Sequence, residues 1–460
     1  MNRELFLMAF IMLLLPAAVS PARAAEPLTW EECVAYAMAN NPELRSSQEL
    51  IRQGRADVGI ARSAYLPRIS ASLGLDASRR ESTSELERLK LSRMKSIGEI
   101  ESAIRNDLTS TGSVNRTEAL SYGIRGTQMI FDSMKTIYDI KSASSLAESA
   151  RYDHALTSSR VRLELRTAFV DLLKAQERII ILKEIAERSR KNLDLVKMRF
   201  RAGREHRGSL LNAEASLANA RNDLVQAERT IAVARRSLLK QMGISRMMEI
   251  RAEGALASAP ADEKKPDLDE VAAVHPGVLQ AKSRSESARY GENAKIAGFL
   301  PVISATASAE RSKSHDDGVN AVNRTSGMNY SAGIQATMPL FTGGNTYYNL
   351  DRAKSQTRKL KNDEIDVRHR VILALEQTWN DWQNAIGNVD VQRKFLDAAE
   401  ERARIAEAQY SLGLMTFDNW IIIENDLSQK KKSHLEALAE RSVAEARWIQ
   451  AGGGTLAYDK

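Results

Sequence analysis

Two hydrophobic periods take turns along this chain. Thr29-Trp-Glu-Glu32 reads as an N-cap with an acidic first turn and predicts a helix running to Asn40-Asn41-Pro42. A second helical run, from Glu43 to about Ser63, ends before Leu66-Pro67. There the period drops to two. Ile69, Ala71, Leu73, Leu75 and Ala77 alternate with Ser70, Ser72, Gly74, Asp76 and Ser78. Leu120, Tyr122, Ile124 and Ile130 alternate with Ser121, Gly123, Arg125 and Thr127. The pattern returns at Ile303, Ala305, Ala307 and Ala309, and again at Tyr330, Ala332, Ile334, Ala336, Met338 and Leu340. Each stretch is about 10 residues with one apolar face and one small or polar face, which is how strands of a membrane β-barrel read.

After each strand pair the period becomes seven. Leu165, Leu172, Ile179, Ala186, Leu193 and Phe200 form one seam, joined by Ala168, Ala175, Leu182, Ser189 and Val196. Leu375, Trp382, Val389, Leu396, Ala403 and Tyr410 form another, joined by Thr378, Ala385, Gln392, Ala399 and Ala406. Small residues at the second position of a heptad let helices approach closely. From strand end to glycine is about 70 residues in each case, a helical run on the order of 100 Å long at 1.5 Å rise per residue. Gly203 and Gly413 end these runs in short loops, and new helices follow.

The two halves repeat each other. Tyr65-Leu-Pro67-Arg-Ile-Ser-Ala71 returns as Phe299-Leu-Pro301-Val-Ile-Ser-Ala305, and Asn41-Pro42 as His275-Pro276, both 234 positions on. Ile130-Phe131-Asp-Ser-Met134 returns as Leu340-Phe341-Thr-Gly-Gly344, and Phe200-Arg-Ala-Gly203 as Tyr410-Ser-Leu-Gly413, both 210 positions on. A repeat of this length points to an architecture rather than a local site. The first half carries 24 extra residues between its strands, with a helical stripe of Leu86, Leu89, Met94, Ile97, Ile100 and Ile104 that is expected to pack on itself at the barrel mouth, the alternative being that it binds a partner.

Composition fits this reading. The chain is 43% apolar but only 5% aromatic, as long helices are. Net charge is +7, yet charges alternate in sign along the helices, so a solvated helix surface is expected and no nucleic-acid partner. Arg3, the apolar run Leu5–Leu15 and the Ala22-Arg23-Ala24 site predict a secretory signal over 1–24. Cys33 is the single cysteine and is expected to be a buried small residue of the first helix. Ala25 stands where a lipid-bearing cysteine would be, so no lipid anchor is expected. The six histidines have no metal-ligand spacing, and neither a phosphate-binding loop nor a nucleophile elbow occurs. No enzyme activity, cofactor or metal is expected.

The expected organisation is a mainly α protein with a membrane β-barrel and an internal twofold repeat. Repeat one covers 25–255, with strands 68–78 and 120–131 and a helical hairpin whose tip lies near 203. Repeat two covers 266–455, with strands 302–310 and 330–341 and a tip near 413. The two form one intertwined channel domain.

The chain resembles the TolC-type outer-membrane efflux channel family. The resemblance rests on Leu28-Thr-Trp-Glu-Glu-Cys-Val-Ala-Tyr-Ala-Met-Ala-Asn40-Asn41-Pro42-Glu43-Leu44, on the two Leu-Pro strand starts, on Leu340-Phe341-Thr-Gly343-Gly344, and on the two (Phe/Tyr)-x-x-Gly turns. It implies a homotrimer in which each protomer gives four strands to one 12-stranded barrel in outer-membrane lipid. It also implies an α-helical tunnel across the periplasm that docks to a periplasmic adaptor and an inner-membrane transporter. The implied function is passive export, as the exit duct of a tripartite efflux pump or a type I secretion system; a non-channel periplasmic coiled-coil adaptor is the alternative. By the same resemblance the two turns are the periplasmic tip, where Tyr410 takes part in holding the closed state. Tip and gate candidates are Phe200, Gly203, Arg204, Arg207, Tyr410, Gly413, Asp418 and Asn419. Relatives place acids six and nine residues after the second glycine and an arginine two after it; here those positions hold Asn419, Ile422 and Met415. A basic turn, Arg199, Arg201, Arg204 and Arg207, is expected instead to pair with Asp418 or with an adaptor.

Overall fold

The computed structural model describes residues 26–82, 113–256, 264–318 and 321–459. The expected signal segment and the apolar stripe from Leu86 to Ile104 lie outside the described residues. The chain divides into two compact units: Met1–Glu49 with Tyr152–Leu279 and Val367–Lys460, and Leu50–Arg151 with Gln280–Asp366.

The first unit is mainly helical, and four of the helices include residues of the second unit as well. Helix α1 (Trp30–Asn40) opens on a capping box, in which the Thr29 hydroxyl accepts from the Glu32 N–H and the Glu32 carboxylate accepts from the Thr29 N–H. Helix α2 (Pro42–Ser63) starts after Asn41, whose side chain accepts from the N–H groups of Glu43 and Leu44. Two very long helices follow, α3 (Lys135–Arg201) and, in the second half, α7 (Asn345–Leu412). They turn back into α4 (Arg207–Gln241) and α8 (Phe417–Ala451). The shorter α5 (Leu268–Val274) and α6 (Pro276–Ile296) lead into the second half.

The seven-residue seams are where this unit closes. On α7, Leu375, Trp382, Val389, Leu396, Ala403 and Tyr410 are all buried, as are Ala399 and Ala406. On α3, Leu165, Leu172 and Leu193 are buried together with Ala168, Ala175, Leu182 and Val196. The largest cluster joins α3 from Val161 to Ala175 with Cys33, Val34 and Ala37 of α1, Leu238, Leu239 and Met242 at the end of α4, and Leu435, Ala439 and Val443 of α8. Burial pushes the Cys33 thiol up to about 12, with the charges of Glu32 and Glu31 adding to it, so the thiol stays protonated. Strand β1 (Glu26–Leu28) pairs in parallel with β4 (Ile250–Ala252) beside this cluster. Alternation gave no sign of this three-residue pairing, because three residues carry no period.

The second unit holds an antiparallel sheet of β2 (Arg68–Ser82), β3 (Ser113–Phe131), β5 (Val302–Gly318) and β6 (Ala321–Thr337), in the order β2-β3-β5-β6. The strands run longer than the apolar alternation, because ladder bonds are made by main chain and do not depend on apolar side chains. At the other end β6 stops at Thr337, short of Phe341, where Pro339 has no N–H to give a ladder. Register puts Ile69, Ala71, Leu73 and Leu75 on one face with Ile124, Tyr122 and Leu120, and with Ala307, Ala309, Tyr330 and Ile334. Ser70, Ser72, Gly74, Ser121, Ser308, Ser312 and Ser331 share the opposite face. Ile69, Leu73, Leu75, Tyr330 and Ile334 are each at least 73% exposed, so this chain alone buries none of that apolar face. No helix among the described residues is long and apolar enough to cross a membrane.

Leu172→Ala removes a fully buried side chain from the centre of the largest cluster. It is expected to cost about 3 kcal/mol and to lower the thermal midpoint followed by helical circular dichroism. Lys191→Ala, on the exposed side of the same helix, is expected to stay within about 0.5 kcal/mol.

Candidate functional site

Both long helices stop by the same mechanism. Gly203 and Gly413 take the left-handed conformation, with φ of 68° and 79°. In the first turn the Gly203 N–H donates to the Phe200 carbonyl and the Arg204 N–H to the Arg199 carbonyl; in the second, Gly413 donates to Tyr410 and Leu414 to Gln409. This pair of bonds closes a helix end with a glycine at the turn. The helices that follow are capped by His206, whose Nδ1 accepts from the Ser209 N–H, and by Thr416, whose hydroxyl accepts from the Asn419 N–H.

Side chains then tie the two turns together. Arg199 donates through Nη1 to the Tyr410 carbonyl at 2.6 Å, and its guanidinium lies 4.6 Å from the centre of the Tyr410 ring. The Tyr410 hydroxyl donates to Glu205 Oε2 at 2.9 Å. The Tyr410 ring stacks on Trp420, with centroids 4.2 Å apart and planes 15° from parallel, and Phe417 meets it edge-on. Tyr410 and Trp420 are fully buried. Burial, then the bond to Glu205 and its charge, push the Tyr410 phenol well above its ordinary value, so it stays a donor. Burial opposes the charge on Glu205, but hydrogen bonds from Ser209, Tyr410 and the His206 N–H outweigh it and hold the carboxyl below its usual range.

Along the helices from these turns lies a second polar knot. Glu424 falls seven residues after Phe417, at a buried position of α8. Its carboxylate accepts from Arg188 Nε at 2.5 Å and Nη2 at 2.8 Å, and from Asn192 Nδ2 at 3.2 Å. Arg188 also reaches Glu407. Hydrogen bonding to Glu424 pushes the Arg188 guanidinium further up, against the burial that would lower it. A cleft of about 420 Å³ beside the pair is lined by α3, α4 and α8, with Lys432 bonded to Asp223 across it at 3.0 Å. No group of His, Cys, Asp or Glu among the described residues is arranged to hold a metal ion.

The sequence profile of the outer membrane efflux proteins matches residues 34–244 and 268–454. The chain belongs to the outer membrane efflux protein family. It is an outer-membrane protein that extends into the periplasm, as its homologues are. It is 24% identical over 449 residues to the outer membrane efflux protein BepC of Brucella suis, covering 96% of this chain and 88% of that one. It is 22% identical over 414 residues to the outer membrane protein TolC of Vibrio cholerae, covering 88% and 86%. Among solved structures, it resembles a membrane protein from Pseudomonas aeruginosa with a TM-score of 0.76 at 17% identity, covering 94% and 92%. The open-state MtrE outer membrane channel of Neisseria gonorrhoeae gives 0.72 at 18% identity, covering 93% and 89%. These likenesses carry the fold.

Within this efflux-family chain, the structure brings Tyr410 to the α3–α4 turn and leaves several expected partners apart. Phe200 is partly exposed, Arg204 and Arg207 are exposed, and so are Asp418 and Asn419 in the first turn of α8. Among the described residues neither Arg204 nor Arg207 forms an ion pair with Asp418. Arg199 is the arginine of that basic turn that is used. Glu205 was not singled out, although one acid inside Arg201, Arg204 and Arg207 is a signal that a cation-rich turn has an internal task. Trp420 and Glu424 were missed because the seam of α8 is irregular, and the irregularity is the polar knot itself.

Arg188→Met leaves Glu424 buried without its partner and is expected to cost about 3 kcal/mol. Arg188→Met with Glu424→Leu is expected to recover at least half of that loss in thermal midpoint. Equal losses in the single and double variants would show that the pair is not coupled.

Proposed function

We propose that this efflux protein works as a trimeric duct, the passive exit channel of a tripartite efflux pump or a type I secretion system. The observation that carries the reading is the sheet. It has four strands, two open edges at β2 and β6, and an apolar face left in the open. Lipid supplies no partners for the N–H and C=O groups of an edge, so such a sheet enters a membrane only as part of a closed barrel. Three copies would give 12 strands, with the apolar face toward lipid and the serine- and glycine-rich face lining water. The internal repeat is supported by the strand-to-helix corners. Gly343 and Gly344 have φ of 61° and 85°, and Ser133 and Met134 hold φ of 57° and 68° at the matching positions, where neither residue is at ease.

The tip residues are read as the gate. Tyr410, Glu205 and Arg199 tie the α3–α4 turn to the α7–α8 turn, so the hairpins move together or break these bonds. The exposed Arg204, Arg207, Asp418 and Asn419 are left for an adaptor that couples the duct to an inner-membrane transporter. The duct supplies no energy and makes no bonds, so its specificity resides in those partners.

Purified in detergent, the full chain is expected to have three times the protomer mass by light scattering and to conduct in planar bilayers. A conducting monomer, or a trimer without conductance, would overturn the duct.

Tyr410→Phe and Glu205→Gln each remove a hydrogen bond to a charged group and are expected to raise the open-to-closed ratio by roughly tenfold. Glu205 is held below its ordinary value of 4.5. The clasp's contribution is therefore complete above that value and is lost as pH falls through the lowered one. Single-channel gating of the native protein is expected to be flat at and above the ordinary carboxylate value and to loosen only as pH falls through the lowered one. Glu205→Gln removes that acid step.

A further inference from the structure

The apolar face of the sheet changes character along the strands. Registered from the helix end outward, it is apolar through Ile69, Gly126, Ala307 and Ala332, and through Ala71, Ile124, Ala309 and Tyr330. The next row is Leu73, Tyr122, Arg311 and Met328; then come Leu75, Leu120, Lys313 and Ser326; then Ala77, Glu118, His315 and Arg324. Arg311, Lys313 and Arg324 are all exposed and all belong to the β5–β6 hairpin. At the level of Arg311 and Lys313, β2 and β3 offer leucines and a tyrosine.

Glu118, the described carboxylate on this face, does not answer these charges. It is paired with Arg116 at 2.7 Å. Arg324 donates to His315 Nδ1 at 3.3 Å, which leaves its positive charge in place. Among the described residues neither Arg311 nor Lys313 has an ion-pair partner. They stand two residues apart on one strand and one face, roughly 7 Å from each other, and repel there at the border of the hydrocarbon, where charge is poorly screened. Long basic side chains at such a border extend toward headgroups and lay their stems on apolar neighbours. The helices leave from the opposite, periplasmic end of every strand, so this border belongs to the outer leaflet.

We propose that Arg311, Lys313 and Arg324 form a binding site for the phosphorylated headgroup of an outer-leaflet glycolipid, whose acyl chains lie on Leu73, Leu75, Leu120 and Tyr122. The inference rests on the barrel reading, since it needs this face in lipid. The site is made by the β5–β6 hairpin with β3 and β2 beside it, all from one chain, so each protomer carries a complete copy. Its lipid fills the border beside the barrel and neutralises Arg311 and Lys313, which have no ion-pair partner among the described residues.

The test uses the full chain in detergent, titrated with diphosphorylated lipid A and with dephosphorylated lipid A and followed by native mass spectrometry. The native protein is expected to retain the diphosphorylated form selectively. Each basic side chain facing an anionic lipid contributes roughly fivefold, so Arg311→Ser, Lys313→Ser and Arg324→Ser together are expected to weaken retention on the order of 100-fold. The charge-keeping Arg311→Lys with Arg324→Lys should stay within about threefold of native. Unchanged retention in the triple serine variant, or equal retention of the dephosphorylated lipid, overturns the site. Displacement of the lipid by an equal concentration of inorganic phosphate overturns its assignment to a lipid. Conductance is read on the same preparations. Lost selectivity with conductance intact counts against this site alone, whereas a native protein that does not conduct counts against the duct.

Discussion

A β-strand in hydrocarbon must have both of its edges paired, and the rest of this molecule follows from that requirement. Four strands are too few to close on themselves, and the order β2-β3-β5-β6 leaves an edge on each side. In the proposed duct the deficit is met by copies, and copies impose a discipline on everything attached to the strands. In that duct each long helix would need a counterpart of equal length. The two long helices accordingly have 67 and 68 residues. The one large difference between the halves falls between β2 and β3, where chain length costs little and nothing downstream depends on it.

Within the helical unit two kinds of adhesion divide the work. Through the middle, leucine, valine and alanine at seven-residue steps bury area without direction. Such seams hold strongly but tolerate sliding by one heptad. Glu424 and Arg188 break the apolar pattern with bonds that have one geometry. A buried pair of this kind adds little net stability, because desolvation consumes most of its attraction. What it does supply is register, since a slip of the seam would strand two charges. That is a use polar residues have in coiled coils, and it suits helices that must deliver their tips to one plane.

The large features were legible in the sequence because they are periodic. Alternation marked the four strands from Ile69, Leu120, Ile303 and Tyr330, and a period of seven marked the helices whose seams are buried from Leu165 to Val196 and from Leu375 to Tyr410. The capping box at Thr29 and Glu32 and the burial of Cys33 were local enough to read directly. What escaped was aperiodic. The β1–β4 pairing joins residues more than 200 positions apart through three main-chain steps, and no side-chain pattern announces it. The clasp on Tyr410 escaped in part. Tyr410 stood out by its place before a glycine, but Glu205 is one carboxylate among many until the fold brings it to a phenol. Arg204 and Arg207 drew attention as charge, whereas the structure uses Arg199, whose guanidinium lies over the tyrosine ring.

The chemistry of that clasp suits the gate proposed for it, a contact both firm and reversible. Apolar packing scales with area, and opening a purely apolar tip would expose that area to water with nothing to replace it. The bonds at Tyr410 are of a different kind. A phenol donating to a carboxylate and a guanidinium donating to a carbonyl are strong in place, but each group accepts an equivalent partner from water or from another protein. The net free energy of exchange is small even though each bond is short. The aromatic stack of Tyr410 on Trp420 supplies the fixed part of the contact and keeps the ring where the hydroxyl can find Glu205 again. With Glu205 held ionised and Tyr410 held protonated, donor and acceptor keep their roles across the physiological range. The bond between them is therefore insensitive to pH across that range.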